Sequence, residues 1–190
     1  MEYDKTIRLK DGRSCRLRNG TAADGTAVLA LFLLTHAQTD FLLSYPDEND
    51  LTVELEAQFL IEKRQSEAEV ELLAEVDGTV VASAGIDRIS PKEKVRHRAA
   101  FGISVAQAYW GLGIGRALTQ ACIECAARAG YAQLELEVVA RNEAALALYR
   151  SEGFVEYGRN PKGFRSRTDG WQELILMRRE IHEPESVGTD

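Results

Sequence analysis

Three glycines recur at every second position in the middle of the chain, at Gly111, Gly113 and Gly115. An apolar, β-prone run precedes them, and a run that is apolar at helical spacing follows. Glycine at a strand-to-helix turn lets the backbone approach a ligand, because no Cβ intervenes. The free N–H groups and the positive dipole end of the helix favour phosphate oxygens. The pattern predicts a pyrophosphate cradle; a tight turn that only packs a helix onto a sheet is the alternative.

The glycine spacing differs from two familiar nucleotide motifs. No Gly-Lys-Ser/Thr follows, so the stretch is not a Walker A loop. It is Gly-x-Gly-x-Gly rather than Gly-x-Gly-x-x-Gly, and its helix comes late in the chain, so it is a poor dinucleotide fingerprint.

A second motif lies downstream, between Asn142 and Phe154. Its pattern is Asn-x-x-Ala-x-x-Leu-Tyr-x-x-x-Gly-Phe, carried by Asn142, Ala145, Leu148, Tyr149, Gly153 and Phe154. Together with the stretch from Val105 to Leu118, it resembles the GCN5-related N-acetyltransferase (GNAT) family, which carries an Arg/Gln-x-x-Gly-x-Gly/Ala loop for acetyl-coenzyme A (acetyl-CoA). The resemblance covers roughly residues 70–180, and residues 1–66 match only in their order of elements.

The resemblance implies acetyl-CoA as the co-substrate, and no metal ion is expected. The implied cofactor-binding residues are Ser104, Val105, Trp110, Gly111, Leu112, Gly113, Ile114, Gly115, Arg116, Ala117, Asn142, Ala145 and Tyr149. Trp110 stands where the family has Arg or Gln, but such a loop binds phosphate largely through backbone N–H groups. Arg116 either supplies a positive charge near the pyrophosphate or is a solvated charge on the helix face.

Acetyl transfer needs a neutral amine, a stabilised oxyanion and a protonated leaving thiolate. By resemblance, the oxyanion donor is a backbone N–H at Ser104–Val105. Tyr149 corresponds to the family's general acid, because a phenol holds its proton at neutral pH and can donate it to a thiolate. The alternative for Tyr149 is a core-facing aromatic. Asn142 is expected to cap its helix, whether or not it also bonds the pantetheine arm.

The general base is not assigned from the sequence. Many relatives use a Glu on the strand before the glycine loop, and that strand has no acid here. His97 at its start, and Glu135 and Glu137 on the next strand, are the candidates, although surface positions explain all three as well. Deprotonation of the amine in bulk water, before binding, is the remaining alternative.

Composition limits the class of protein. The chain has 190 residues, 45% of them apolar, and a net charge of −7, so nucleic acid is not expected as a main partner. We expect one domain over residues 1–181, a polar, disordered tail over 182–190, and no membrane span or signal segment. Three cysteines, an odd number, suit a reducing, cytoplasmic compartment, and Cys122 and Cys125 are expected in the core.

The predicted order of elements is β-β-α-α-β-β-β-α-β-α-β-β, which implies a mixed sheet with helices on both faces. The resemblance implies an α/β (α+β) fold with a mostly antiparallel, twisted sheet of six to seven strands. Asn160–Gly163 is predicted as a turn between the last two strands. The loop over residues 38–50 either lines a substrate mouth or packs back on the core.

Two functions stay open from the sequence. One is an N-acetyltransferase that acts on a primary amine of a small molecule or a protein through a ternary complex. The other is a non-catalytic acyl-CoA binding module. The region around Arg165, Arg167, Asp169 and Trp171 is expected to touch the acceptor or a partner subunit, since family members are often dimers.

Overall fold

A computed structural model describes residues 1–181, so the prediction of a disordered tail lies outside the described residues. One sheet of eight strands runs in the order β1-β2-β3-β4-β5-β6-β8-β7. Its strands are β1 (Asp4–Arg8), β2 (Ser14–Asn19), β3 (Val70–Val76), β4 (Thr79–Arg88), β5 (Arg98–Val105), β6 (Gln133–Val139), β7 (Val155–Ser166) and β8 (Gly170–Glu180). The α+β class is confirmed, with eight strands rather than six to seven.

Within residues 1–181, four α-helices cover the two faces of the sheet. They are α1 (Gly25–Gln38), α2 (Val53–Gln65), α3 (Ile114–Arg128) and α4 (Glu143–Ser151). Alternation along β3 shows the division: Leu72 packs in the large core with α3 and α4, whereas Leu73 packs with Val28 of α1 and Leu60 of α2. Cys122 and Cys125 are buried in the large core, as predicted.

One parallel pair interrupts an otherwise antiparallel sheet. β5 and β6 pair in parallel only from Arg98–Ala100 to Gln133–Glu135, while β4 stays paired with β5 as far as Val105. The two strands therefore part beyond Ala100, and the sheet opens between their carboxyl ends.

The predicted turn at Asn160–Gly163 is wrong. β7 continues through it as one strand to Ser166, with a register shift against β8 between Asn160 and Phe164. β7 is the edge strand, so Pro161, which lacks an N–H, is tolerated there, and the irregularity is absorbed as a bulge.

Candidate active site

A cleft of about 1220 Å³ lies where β5 and β6 part. The residues that line it come from β5, the glycine loop, the start of α3, β6, α4 and the segment after α1. Those predicted from sequence are Ser104, Val105, Trp110, Gly111, Gly113, Gly115, Arg116, Glu135, Glu137, Asn142, Ala145 and Tyr149. The fold therefore brings both sequence motifs to one cavity.

The free edge of β5 supplies backbone donors to this cleft. The Ala106 N–H bonds the Val81 carbonyl, and the Arg98 carbonyl accepts from Ile89, so the even-numbered residues of β5 point toward β4. Because bonding direction alternates along a strand, the N–H groups of Ile103 and Val105 point into the opening. Of the two residues predicted as the oxyanion donor, Val105 is the one whose N–H faces the cleft, and Ser104 faces β4.

The N-terminus of α3 is built to receive an anion. Gly111 and Gly113 have φ angles of +74° and +100°, which residues with a side chain rarely adopt. Gly113 caps the helix without a side-chain hydrogen bond, and no acidic residue lies in the first turn. The first N–H groups of this 15-residue helix therefore have no acceptor within the helix, and they lie at the positive end of its dipole. A pyrophosphate fits this arrangement.

Not every predicted cofactor residue presents its side chain to the cleft. Ile114 is buried in the core, and Leu112 and Ala117 pack against it, so these three can contribute only backbone atoms. Arg116 lies at the cleft rim, where its guanidinium bonds Ser151 Oγ at 3.1 Å and lies 3.4 Å from Glu152.

Trp110 holds the glycine loop to the end of β5. Its indole Nε1–H donates to the Val105 carbonyl at 2.7 Å, and the ring is 46% exposed in the cleft wall. The side chain that departs from the family pattern thus fixes the loop next to the β5 N–H groups.

α4 presents the second motif. The Asn142 side chain accepts from the Ala145 N–H at 3.2 Å, so its role as an N-cap is confirmed. Tyr149, on the buried face of α4, lines the cleft and packs against Phe101 and Phe154. Burial raises the pKa of Tyr149 to about 12, so the phenol is protonated at neutral pH.

The three candidate bases have different surroundings. His97 is exposed just before β5, roughly 23 Å along the strand from Ser104, and it does not line the cleft. Glu135 is buried and bonded to Arg98, Gln133 and Tyr157, and the Arg98 guanidinium lowers its pKa. Glu137 is exposed in the cleft wall on the α1–α2 side of the sheet, free of any ion pair among residues 1–181.

The segment between α1 and α2 closes one side of the cleft. Phe41, Leu42 and Leu43 line it, so this loop faces the cavity instead of only packing back on the core. Arg141 and Tyr157 also line the cleft and were not predicted. The position of Arg141 beside Asn142 was the one available signal.

Two arginines fasten this segment to the β7–β8 hairpin. Arg167 bonds Asp47 at 2.8 Å, and its backbone N–H donates to the Tyr45 hydroxyl at 2.8 Å. Arg141 bonds Asp40 at 3.2 Å and pairs with Asp169 of the hairpin. We call residues 39–48 with these partners the strap.

None of the four residues predicted to touch the acceptor lines the cleft. Arg167 and Asp169 hold the strap, whereas Arg165 and Trp171 contact each other. Trp171 is 55% exposed outside the cleft, with Lys162 and Arg165 stacked over its ring.

In the described range, 1–181, no group of three or more His, Cys, Asp or Glu side chains is arranged to hold a metal ion, and no helix there is long and apolar enough to cross a membrane.

The acetyltransferase (GNAT) family matches residues 32–154 of the chain. The chain is 42% identical over 77 residues to the [ribosomal protein bS18]-alanine N-acetyltransferase of Escherichia coli (strain K12). That match covers 40% of this chain and 51% of the relative, so the chain spans about half of the length of this curated protein.

Solved structures share the whole fold. An acetyltransferase of the GNAT family from Streptococcus pneumoniae superimposes with a TM-score of 0.83 at 28% identity, covering 88% of this chain and 99% of that one. A ribosomal-protein-alanine N-acetyltransferase from Brucella melitensis superimposes with a TM-score of 0.77 at 30% identity, covering 87% and 99%.

Proposed function

The chain belongs to the acetyltransferase (GNAT) family, and from that premise we propose that it transfers an acetyl group from acetyl-CoA to a primary amine. The observation that carries the proposal is the cleft itself. It joins an uncapped helix N-terminus behind two left-handed glycines, a strand edge with free N–H groups, and a buried tyrosine. These are the parts that a pyrophosphate, a thioester carbonyl and a leaving thiolate require.

The chain's own groups supply three tasks. The N–H groups at the start of α3 bind the pyrophosphate of acetyl-CoA, and Asn142 orders the first turn of α4 beside it. The Val105 N–H is directed at the thioester carbonyl and stabilises the oxyanion that forms when the amine attacks.

Tyr149 protonates the leaving sulfur. Its pKa of about 12 keeps the phenol protonated at rest. A thiol is the stronger acid, with a pKa of about 8.5, so the phenol gives up its proton only in concert with cleavage of the C–S bond, while the cationic nitrogen returns one to it. The phenol then recovers a proton from the amide nitrogen as the tetrahedral intermediate collapses, so the enzyme returns to its starting state.

The proposed acceptor is the α-amine of a protein N-terminus. The Escherichia coli and Brucella melitensis relatives are named for acetylating an alanine of a ribosomal protein, which supports this class. The Glu137 carboxylate faces the cleft on the α1–α2 side, where it attracts an ammonium group and contacts it.

The first test is release of free CoA thiol from acetyl-CoA in the presence of a peptide with N-terminal alanine, a lysine peptide with a blocked N-terminus, or a small polyamine. We expect release with the first. Tyr149→Phe should reduce kcat at least a hundredfold while the acetyl-CoA Kd stays unchanged, because only the proton donor is lost.

Tyr131→Phe is the matched control, since Tyr131 is also a buried tyrosine and lies outside the cleft. Unchanged turnover in Tyr149→Phe would refute the acid. Binding of acetyl-CoA without release on any amine would instead support a non-catalytic binding module.

A further inference from the structure

Glu71 is a carboxylate on the acceptor side of the sheet that the proposed chemistry does not yet use. Alternation along β3 places its side chain on the α1–α2 face, the same face as Glu137. The residue as a whole is only partly buried, although its carboxylate is enclosed enough for burial to raise its pKa.

Two glycines lie between Glu71 and the cleft. Glu71 pairs with Gly85 on β4, and Gly85 pairs with Gly102 on β5. The Glu71 carboxylate occupies the place that a Cβ of Gly85 would take. Gly102 lines the cleft, and no atom lies within 4 Å of the place that its Cβ would take.

The distance from the Glu71 carboxylate to a group that lies over Gly102 suits one bridging water. Neighbouring strands lie about 4.8 Å apart, so a carboxylate over Gly85 is about 5 Å from a group over Gly102. Two successive hydrogen bonds of about 2.8 Å through a water span about 4.6 Å. Any side chain at either glycine would fill this path.

We propose that Glu71 accepts the proton that the acceptor ammonium must lose before it attacks, through a water seated between Gly85 and Gly102. This role rests on the proposed acetyl transfer. Of the three ammonium protons, the first passes to Glu71 and frees the lone pair that forms the C–N bond. The second leaves nitrogen as the C–S bond breaks and replaces the proton that Tyr149 gives to sulfur. The third remains on the amide.

The surroundings of Glu71 fit a proton acceptor near neutral pH. Burial raises its pKa to about 7, partly offset by Lys63 of α2 and a hydrogen bond with Ser83. Asp87 of β4 and Glu56 of α2 raise it further, and on the opposite face the nearby Cys122 thiol is buried and protonated. A base is most effective when its pKa lies near the working pH.

The test is the pH profile of kcat/KM with a peptide bearing N-terminal alanine. The wild-type profile should rise through about 7 as Glu71 ionises. It should level off above the amine's own pKa of about 7.8, because the amine then arrives neutral and attacks without a base. Glu71→Gln can use only the neutral amine, so its profile should rise through about 7.8 instead, with a kcat/KM about fivefold below wild type at pH 6 and close to wild type at pH 9.

Matched variants separate the role from folding. Glu69→Gln, two residues away and just before β3, should keep the wild-type profile. Gly102→Ala should reproduce the loss by filling the path, since its methyl group meets no neighbour in the fold. Glu137→Gln should raise the acceptor KM and keep the wild-type midpoint near 7. The acetyl-CoA Kd should be unchanged in Glu71→Gln.

A midpoint that stays near 7 in Glu71→Gln, or that moves to about 7.8 in Glu137→Gln, would overturn the assignment and leave the proposed acetyl transfer intact. A wild-type protein that releases no thiol with any amine would instead refute the proposed function itself. The two failures are therefore distinguishable in one set of assays.

Discussion

The two sides of the cleft are built from different kinds of contact. The cofactor side is local: the end of β5, the glycine loop and α3 follow one another within residues 98–128. The acceptor side is assembled from distant parts, since Arg141 meets Asp40 and Arg167 meets Asp47 across more than a hundred residues. Backbone groups dominate the first side and side chains the second. A shared co-substrate can therefore be held by a short motif, while acceptor choice depends on long-range packing.

The largest effect should come from a substitution at Gly113, on the side of the cleft that is built from backbone groups. Gly113→Glu forces a side chain onto a φ of +100° and places a negative charge at the helix N-terminus that should bind phosphate. We expect the acetyl-CoA Kd, measured by calorimetry, to rise at least a hundredfold.

Gly130→Glu controls for strain and charge, because Gly130 has a φ of +76° at the other end of α3, outside the cleft. The same loss of affinity in both variants would mean that misfolding, rather than a damaged cradle, explains the result.

A smaller effect on the same side should follow from Trp110→Phe. The ring is kept and only the N–H bond to the Val105 carbonyl is lost, a change of about 1 kcal/mol. We expect a Kd for acetyl-CoA about fivefold higher. Trp171→Phe, at an exposed tryptophan outside the cleft, should leave it unaltered. An unchanged Kd in Trp110→Phe would show that the loop keeps its shape without this bond.

On the acceptor side, Arg167→Ala should loosen the strap. The guanidinium contacts with Asp47 and the Tyr45 ring are lost, but these groups are exposed, so solvent and salt screen the contacts and their loss weakens the strap only slightly. We expect the acceptor KM to rise about threefold and the acetyl-CoA Kd to stay constant.

Arg159→Ala removes an arginine of the same hairpin whose ion pairs within residues 1–181 are with Glu156 and Glu173, and it should change neither value. If Arg167→Ala altered the acetyl-CoA Kd instead, the two sides of the cleft would not be independent.

The same contrast explains what the sequence could predict. The order of elements and the N-cap at Asn142 follow from patterns within short segments, and the placement of Tyr149 at the cleft follows from the resemblance to a family motif; all three agree with the structure. The contacts of the strap join residues that are far apart in the chain, and no local sequence pattern predicts such contacts. The turn at Asn160–Gly163 failed because its prediction rested on local turn residues, whereas pairing with β8 decides the structure.

Helix α2 shows the same limit in its packing. Apolar Leu55 is 54% exposed, while Glu56 and Lys63 are buried against the sheet. Lys63 is buried because its ammonium bonds the Ile86 carbonyl and pairs with Asp87 on β4. The burial of a charged group on a helix can be predicted only when the strand that supplies its partner is known.

The smallest expected effect is on the stability of the fold. Its sign shows whether the Glu71 carboxylate serves the reaction or the structure. The pKa of Glu71 is about 7 in the folded state and about 4.3 when unfolded. The folded state therefore holds this proton more tightly, so the stability that Glu71 contributes is greatest below pH 4 and is lost as pH rises to 7. Gln cannot ionise. Glu71→Gln should thus melt a few degrees above wild type at pH 8, with the difference vanishing near pH 4.

Melting curves of wild type, Glu71→Gln and Glu69→Gln at pH 4, 6 and 8 check this sign. Lower stability of Glu71→Gln at pH 8 would mean that Lys63 holds Glu71 as a structural ion pair. Higher stability together with lower activity would show that the sheet keeps a carboxylate that weakens the fold, and such a residue is retained for its chemistry. The acceptor side would then depend on a catalytic side chain, Glu71, that lies outside both sequence motifs.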